Sequence, residues 1–284
     1  MEKWDLYNRY RELTGEDYVR QNVCKIPKDR FHLVVHVWIK NQKGEYLMSQ
    51  RSANRPTYPL MWECTGGSVL KGESSLEGAI REVKEELGID LHPQDGKILF
   101  QMIRDEINGV IFRDIVDVWM FNYDGLVDLS MATTDEVNDY RWMTKEEVLK
   151  LKEDGLFVSP TLDYFFTDFE TDKDYHDIIG KEVSGVIDRP MGSAHPNDSK
   201  MIYPINYGYV DGIIASDGEY QDAYVFGSSK PISSFKGKVI GVYHRFNDNE
   251  NKWIVSIDDV SISSQKILGD IAFCEQFFFG KLYR

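Results

Sequence analysis

The chain has few cysteines, no long apolar run and fewer basic than acidic residues. Its 3 cysteines (Cys24, Cys64 and Cys274) are widely separated and match neither a C-x-x-C pattern nor a zinc-ligand spacing, which indicates reduced packing residues. No apolar run approaches the roughly 20 residues that a membrane-spanning helix needs. The amino terminus also lacks a basic segment followed by an apolar stretch, the pattern of a secretion signal. We therefore expect a cytoplasmic protein that does not enter a membrane.

The scarcity of positive charge limits the partners that the protein can have. The sequence contains 33 Lys and Arg against 47 Asp and Glu, a formal net charge of −14. Duplex nucleic acid is excluded as an expected partner, because phosphate backbones are bound by basic surfaces. An acidic protein can still act on small polyphosphates if divalent cations bridge its carboxylates to the substrate.

The distribution of strand and helix patterns over the 284 residues predicts two domains. Residues 1–168 mix β-rich runs with helical segments, and residues 169–178 form an acidic, aromatic linker. Residues 179–284 contain short β runs separated by glycine, proline and asparagine, with one helical pattern over 263–278. The sequence thus predicts an α/β (α+β) domain followed by a small, mostly-β barrel.

Local signals in the first domain predict several of its elements. The runs 31–40 and 45–51 are β-rich and flank an Asn-Gln-Lys-Gly turn, which is typical of a hairpin. Thr144-x-x-Glu147 is a capping box that predicts the start of one helix. Ser159-Pro160 predicts the start of another, with serine as N-cap and proline in the first turn.

A further helix, beginning after the capping box Ser74-x-x-Glu77, carries an unusual cluster of charge. One side of it is an apolar stripe made of Leu76, Ile80, Val83 and Leu87. Glu82, Glu85 and Glu86 project from the other side within an arc of about 100°. Carboxylates this close repel one another, and a bound divalent cation would offset the repulsion. A solvated, charged helix face is the alternative explanation.

The surrounding residues favour the metal-binding interpretation. The segment Gly67-x5-Glu73-x7-Arg81-Glu82-Val83-x-Glu85-Glu86-x-Gly88-Ile89 matches the motif G-x5-E-x7-R-E-U-x-E-E-x-G-U at every position, U being a bulky aliphatic residue. This motif is the Nudix box, and residues 30–165 resemble the Nudix hydrolase superfamily. The resemblance implies an α/β/α sandwich and Mg²⁺-assisted attack of water on the diphosphate of a small-molecule substrate, with Mn²⁺ able to substitute.

Roles for individual residues follow from the same resemblance. It implies that Glu82, Glu85 and Glu86 hold the metal, with Glu85 also catalytic, and that Arg81 pairs with Glu73 to brace the loop and the helix.

The resemblance also implies that Gly66 and Gly67 turn the backbone tightly beside the bound phosphate. Glu136 is a candidate general base, because Glu136-x5-Trp142 resembles the loop and strand of oxidised-nucleotide hydrolases in the superfamily. A solvated loop glutamate is the alternative for Glu136. Residues 51–61 and 104–113 are expected to form walls of the substrate pocket.

A second family shares this fold and is the main alternative. His32, His36 and Trp62 are similar to positions of type I isopentenyl-diphosphate isomerases. Those enzymes use a cysteine and a metal-binding histidine in the turn before the helix and have a degenerate box. Here residues 65–69 contain neither, and Cys64 is expected to be a packing residue. We therefore expect hydrolysis.

The second domain resembles family I inorganic pyrophosphatases. The resemblance covers about residues 180–279 and depends on three ordered motifs: Ile187-Asp-Arg-Pro190, Tyr203-Pro-Ile-Asn-Tyr-Gly-Tyr209 and Asp217-Gly-Glu-Tyr-Gln-Asp222. It implies an OB-like barrel. The implied metal ligands are Asp217, Asp222, Glu219 and Asp188, and the implied phosphate-binding residues are Tyr207 and Lys252.

Departures from the pyrophosphatase pattern leave the activity of this domain open. Tyr220 replaces the expected proline, and the loop 190–203 lacks a K-x-E motif, having His195 and Lys200 as its main basic candidates. One hypothesis is a bifunctional enzyme whose second domain hydrolyses inorganic pyrophosphate. The other is a Nudix hydrolase whose second domain only binds a ligand or promotes homo-oligomerisation.

Overall fold

The structure is a computed structural model that describes residues 2–21, 25–258 and 261–284. Cys24 lies outside the described residues, while Cys64 and Cys274 are free thiols. The chain divides into two compact units, one containing Leu13–Gln101 and Ile111–Asp168, the other containing Phe169–Arg284. The domain boundaries at 168 and 178 that the sequence indicates stay a prediction. No helix in the described part of the chain is long and apolar enough to span a membrane.

Within the residues that the structure describes, the first part of the chain contains nine strands and two α-helices. The strands are β1 Lys3–Tyr7, β2 Leu13–Val19, β3 His32–Lys40, β4 Tyr46–Arg51, β5 Trp62–Glu63, β6 Thr65–Ser68, β7 Gly96–Ile107, β8 Val110–Asn122 and β9 Val137–Met143. The helices are α1 Ser75–Leu87 and α2 Lys145–Glu153. β1 and β2 pair with each other, and the other seven strands form one sheet in the order β5-β4-β3-β8-β7, with β6 beside β3 and β9 beside β4. The mixed α/β class that the sequence predicts is confirmed.

β3 lies in the middle of this sheet. It runs parallel to β8 along its whole length and antiparallel to β6. Val35, Val37 and Trp38 are at most 1% exposed, as expected for a strand that is covered on both faces. β3 and β4 are joined by the predicted tight turn, but they pair only at Lys40 and Tyr46. The short strand β6 occupies the position beside β3 and leads directly towards α1.

Helix α1 has the ends that the sequence predicts. The Ser74 side chain accepts a hydrogen bond from the Glu77 amide, the Glu77 carboxylate accepts one from the Ser74 amide, and Gly88 ends the helix at φ +71°. Its most buried residues include Ala79, Val83 and Leu87, all with no measurable exposure. The buried face is therefore rotated slightly from the predicted stripe, because small residues pack closest to the sheet.

The predicted helix at Ser159-Pro160 is wrong. In its place the chain forms a 3₁₀ turn over Asp163–Phe166. Tyr164 and Phe165 are both fully buried at consecutive positions. A regular amphipathic helix at the domain surface does not bury adjacent residues in this way, so the packing of the two aromatic side chains determines the local conformation.

The second part of the chain forms a closed barrel. Its strands are β10 Glu182–Arg189, β11 Ala194–His195, β12 Asp198–Ile202, β13 Asn206–Ile214, β14 Tyr220–Phe226, β15 Ser234–Arg245, β16 Asn251–Ser256 and β17 Gly280–Tyr283, and its helix is α3 Ser264–Glu275. Five strands follow in the order β10-β13-β14-β16-β15, and pairing of β10 with β15 closes the ring. The predicted small β-barrel is thereby confirmed.

The barrel strands bury side chains on both faces. Along β14 and β16, Val225 and Val255 belong to one hydrophobic cluster, whereas Tyr224 and Ile254 belong to another. Successive strand residues point to opposite faces, so the two clusters lie on opposite sides of the barrel wall. Helix α3 contributes Ile267 to the second cluster and so covers that side.

Candidate functional site

A cavity of about 240 Å³ opens beside helix α1. Its lining includes the predicted residues Gly66, Gly67, Arg81, Glu82, Glu85, Glu86 and Glu136. Gly66 and Gly67 lie within strand β6, paired with β3, and do not form the tight turn that the sequence predicts. This strand brings the two glycines to the helix face that carries the carboxylates, and Glu136 reaches the cavity from the loop before β9. Residues separated by 70 positions in the sequence thus meet at one site.

Arg81 is the centre of the polar network. Its Nε donates to both carboxylate oxygens of Glu73, at 2.9 and 3.2 Å. Its Nη1 donates to Glu82 and to Glu85, each at 2.9 Å, and its Nη2 donates to the Ser68 carbonyl at 2.9 Å. Burial lowers the pKa of Arg81, but the hydrogen bonds and charges of these carboxylates outweigh burial and raise it. Arg81 therefore fixes the helix to the preceding loop as a permanent cation.

The remaining negative charge on α1 is poorly compensated. Burial raises the pKa of Glu82 to about 7, although Arg81 opposes the shift. Burial raises the pKa of Glu86 well above its usual value, and the charges of Glu82, Glu63 and Glu136 add to the effect. Acidic side chains with raised pKa values in one cavity form a site that a multivalent cation would stabilise.

The carboxylates of α1 are suitable ligands for a divalent cation, but Arg81 already binds two of them. Glu82, Glu85 and Glu86 supply the hard oxygen donors that Mg²⁺ and Mn²⁺ prefer, so their chemistry fits. Within the part of the chain that the structure describes, no three His, Cys, Asp or Glu side chains stand close enough together to hold a metal as positioned. Arg81 accounts for this, because its guanidinium engages the carboxylates of Glu82 and Glu85. A cation must compete with Arg81 for those oxygens.

At Gly66 and Gly67 other atoms come so close to the backbone that there is no room for a Cβ atom. A Cβ atom on Gly66 would lie 2.3 Å from the Val35 carbonyl oxygen, because β6 pairs tightly with β3. A Cβ atom on Gly67 would lie 2.4 Å from Glu82 Oε1. The absence of a side chain at Gly67 therefore leaves the space that the Glu82 carboxylate occupies.

Glu136 forms an ion pair with Arg55, and both side chains line the cavity. Arg55 falls in the predicted wall segment 51–61, but no motif singles it out. Arg20, another cation of the lining, lies outside every predicted site segment. Asp117, a carboxylate of the neighbouring strand β8, is fully buried and accepts a 2.7 Å hydrogen bond from Gln101.

The residues considered for isomerase chemistry occupy packing positions. Cys64 is buried, and burial raises the pKa of its thiol well above the usual value. His36 Nδ1 shares a 2.9 Å hydrogen bond with the Tyr164 hydroxyl, and His32 Nδ1 lies 3.1 Å from the Arg113 carbonyl oxygen. None of the three lines the cavity beside α1.

The barrel has a cavity of its own, of about 380 Å³. Three of the residues implied by the pyrophosphatase resemblance line it: Tyr207, Asp222 and Lys252. Lys252 is 3% exposed, and its Nζ donates to Asp222 Oδ2 at 2.5 Å and also to Glu250. Burial raises the pKa of Tyr207 well above its usual value, and the charge of Asp222 adds to this effect.

The other implied ligands of the barrel are not part of the cavity lining, although Asp217 and Asp188 interact with side chains that are. Asp217 and Glu219 are exposed in the turn between β13 and β14, where the Glu219 amide donates to Asp217 Oδ1 at 3.0 Å and lowers the pKa of Asp217. Asp188 is 3.8 Å from the Arg189 guanidinium, and burial raises its pKa. Of the predicted set, Tyr207, Asp222 and Lys252 line the cavity, while Asp188 and Asp217 lie near its acidic side chains.

Comparison with known proteins identifies the first part of the chain. The NUDIX domain family matches residues 30–165. A Nudix hydrolase of Listeria monocytogenes is 38% identical over 168 residues, which cover 58% of this chain and 91% of the relative.

Two more distant similarities cover about half of the chain or less. An isopentenyl-diphosphate Delta-isomerase of Shigella dysenteriae is 27% identical over 123 residues, covering 43% of this chain and 66% of the relative. The solved MutT protein from Methanosarcina mazei has 29% identity and a TM-score of 0.41, covering 52% of this chain and 96% of that chain. The resemblance of the barrel to pyrophosphatases stays a prediction. By its identity to the Listeria protein and by the NUDIX match, the chain belongs to the Nudix hydrolase family.

Proposed function

We propose that the protein is a Mg²⁺-dependent hydrolase that cleaves the diphosphate bond of a nucleoside diphosphate linked to another moiety. One observation carries this proposal: Glu82, Glu85 and Glu86 line the same cavity as Gly66 and Gly67 of strand β6. The pKa values of Glu82 and Glu86 are raised. Clustered carboxylates of this kind favour a divalent cation, and a cation there would reduce the repulsion between the protein and an anionic substrate.

Each residue has a definite task in this proposal. A bound Mg²⁺ would supply charge neutralisation at the phosphate oxygens and lower the pKa of a water molecule. Arg81 orients Glu82 and Glu85. Its hydrogen bond to the Ser68 carbonyl also holds the end of strand β6 against helix α1. Glu136 is the proposed general base that takes a proton from the attacking water, and its ion pair with Arg55 sets the direction of its carboxylate.

The geometry favours hydrolysis over isomerisation. An isomerase of the related family needs a thiol that reaches the substrate, whereas Cys64 is 4% exposed and does not line the cavity. Its raised pKa also keeps the thiol protonated and poorly reactive. The similarity to isomerases therefore reflects the shared fold of residues 30–165.

A product screen tests the proposal. Purified full-length protein is incubated with nucleoside triphosphates, nucleotide sugars and dinucleoside polyphosphates in Mg²⁺ or Mn²⁺, and products are identified by ³¹P NMR. Isopentenyl diphosphate is included to detect isomerisation. We expect Mg²⁺-dependent cleavage of at least one diphosphate-linked nucleoside and no isomerised product. Conversion of isopentenyl diphosphate with no cleavage of any nucleotide would contradict the proposal.

For the barrel we favour a binding or assembly role over pyrophosphate hydrolysis. The specific observation is that the buried ammonium of Lys252 bridges Asp222 and Glu250, where the pyrophosphatase resemblance implies a metal. Any pyrophosphate released in the product screen should therefore persist until a pyrophosphatase is added. Conversion to orthophosphate by the protein alone would support the bifunctional hypothesis. The cytoplasmic location and homo-oligomerisation stay predictions.

A further inference from the structure

Part of the wall of the barrel cavity is aromatic. Tyr203, Tyr207, Phe277 and Phe278 all line it, and Phe277 is 42% exposed, so its ring can be reached by a ligand. The volume of about 380 Å³ falls within the range of small-molecule sites, roughly 300–1,000 Å³. Tyr203 and Tyr207 are at most 3% exposed, so Phe277 is the exposed ring that a ligand would cover. An inorganic anion alone would leave that ring uncovered, which favours a ligand that carries a ring.

The acidic side chains of the cavity are already compensated within the protein. Lys252 binds Asp222 and Glu250, and its ammonium is almost completely buried. Arg245 donates two hydrogen bonds to Glu275, at 2.8 and 2.9 Å. A divalent cation would have to displace a buried ammonium from its carboxylates, leaving that ammonium without a counter-charge at a large free-energy cost. The residues present therefore do not fit a resident divalent metal between Asp222 and Glu250.

Two cationic or polar donors of the cavity keep hydrogen-bonding capacity for a ligand. Arg189 makes a 3.4 Å hydrogen bond to the Tyr203 hydroxyl and a 3.8 Å ion pair with Asp188, which uses only part of its five N–H donors. His195 Nδ1 accepts a 3.2 Å hydrogen bond from the Asn197 amide. The neutral ring therefore carries its proton on Nε2, which is then a donor.

These donors and the aromatic wall are adjacent. The rings of His195 and Tyr203 are stacked, with centroids 6.0 Å apart and planes within 13°. The Arg189 guanidinium lies 5.0 Å from the centroid of the Tyr207 ring. A planar fork of N–H donors beside aromatic faces suits a phosphate group attached to a flat ring system.

We propose that the barrel binds a phosphate monoester carrying an aromatic base, of the nucleoside monophosphate class, without a divalent metal. The phosphate contacts Arg189 and His195, and the base packs against Phe277. This site is separate from the hydrolase cavity in its residues and its chemistry. A nucleoside monophosphate contains no anhydride bond, so its binding can be measured whether or not the hydrolase reaction proposed for α1 takes place.

Isothermal titration of the full-length protein with AMP in excess EDTA tests this proposal. We expect saturable binding at one site, weakened about tenfold or more by Arg189→Gln and also weakened by His195→Gln, since each loses a hydrogen bond to a charged group. Lys200→Gln is the matched control: it removes an exposed cation from the neighbouring strand β12, outside the cavity lining, and should leave AMP affinity unchanged.

The aromatic wall is tested separately. Phe277→Ala should weaken AMP binding about fivefold or more but leave the weak binding of inorganic phosphate unchanged, because only the base packs against this ring. Circular dichroism and urea unfolding verify that each variant folds.

Several results would overturn the proposal. These are the absence of AMP binding in EDTA, a strict need for Mg²⁺, or AMP binding that is lost in Glu85→Gln and retained in Arg189→Gln, which would place the nucleotide in the hydrolase cavity. Hydrolysis of inorganic pyrophosphate that is abolished by Asp222→Asn would also overturn it, because it would assign these residues to a metal site.

Discussion

Without divalent cations, the protein should become less stable as the pH rises from 5 to 8. One cause is Glu82, whose carboxylate lines the cavity together with Glu85 and Glu86, and the raised pKa of Glu86 acts in the same direction. Burial is the largest reason that the pKa of Glu82 rises from 4.5 to about 7, and only 14% of its side chain is exposed. Because the folded state holds this proton more tightly than the unfolded state, raising the pH through this window removes stability.

The size of the effect follows from the shift in the pKa of Glu82. Each pKa unit corresponds to about 1.4 kcal/mol, so a rise from 4.5 to about 7 corresponds to ~3 kcal/mol. Below the unfolded pKa both states are protonated and the contribution is constant. Between the unfolded and folded pKa values only the folded state keeps the proton, and above the folded value the full loss has occurred.

Urea unfolding in EDTA at pH 5 and pH 8 measures this loss. Glu82→Gln cannot ionise and should show a pH dependence smaller than wild type by ~3 kcal/mol. Glu77→Gln is a control on the same helix, because glutamine preserves the capping box and hydrogen bonds from Ser74 lower the pKa of Glu77. Adding Mg²⁺ at pH 8 should stabilise the wild type. Equal pH dependence of the free energy of unfolding in wild type and Glu82→Gln would show that ionisation of Glu82 does not destabilise the protein.

Three substitutions test other parts of the structure. Gly67→Ala places a methyl group 2.4 Å from Glu82 Oε1, a flexible side-chain end, so turnover should fall about a hundredfold while urea unfolding changes by less than about 1 kcal/mol. Arg81→Ala removes the cation from its partly buried carboxylates and should lower the free energy of unfolding in EDTA by about 1–3 kcal/mol, part of which Mg²⁺ restores. Glu275→Gln removes the most buried carboxylate partner of Arg245 but leaves its ion pairs with Asp248 and Glu250, so it should cost about 1–3 kcal/mol in the same assay. Changes below about 0.5 kcal/mol in either charge variant would contradict the assigned ion pairs.

Helix α1 could be predicted because all its signals are local. The Ser74 cap, the helical period and the Gly88 terminus lie within 15 residues of one another, so no distant contact is needed to define the element. β2 was not predicted, because its sequence LTGEDYV contains glycine and acidic residues and most of the strand is exposed. At Ser159 the local helix-start signal is not followed by an α-helix, because the burial of Tyr164 and Phe165 determines the conformation.

In the candidate sites, too, features set by local sequence could be predicted and features set by distant contacts could not. The acidic residues of the hydrolase cavity come mainly from one helix, so their spacing alone indicates that they face the same side. Arg55 reaches Glu136 only because β4 pairs with β9, a register that the sequence does not reveal. In the barrel, parallel pairing of β14 with β16 places Asp222 beside Lys252, which turns an expected metal ligand into an ion pair.

We propose that the carboxylates of α1 support metal-dependent hydrolysis of a phosphoanhydride. The most direct measurement is the Mg²⁺-dependent turnover of the best nucleotide substrate by wild type, Glu85→Gln and the same-helix control Glu77→Gln. We predict a loss of at least about a hundredfold in Glu85→Gln, with wild-type turnover in Glu77→Gln and similar urea unfolding of all three proteins. Full activity in Glu85→Gln would contradict the claim.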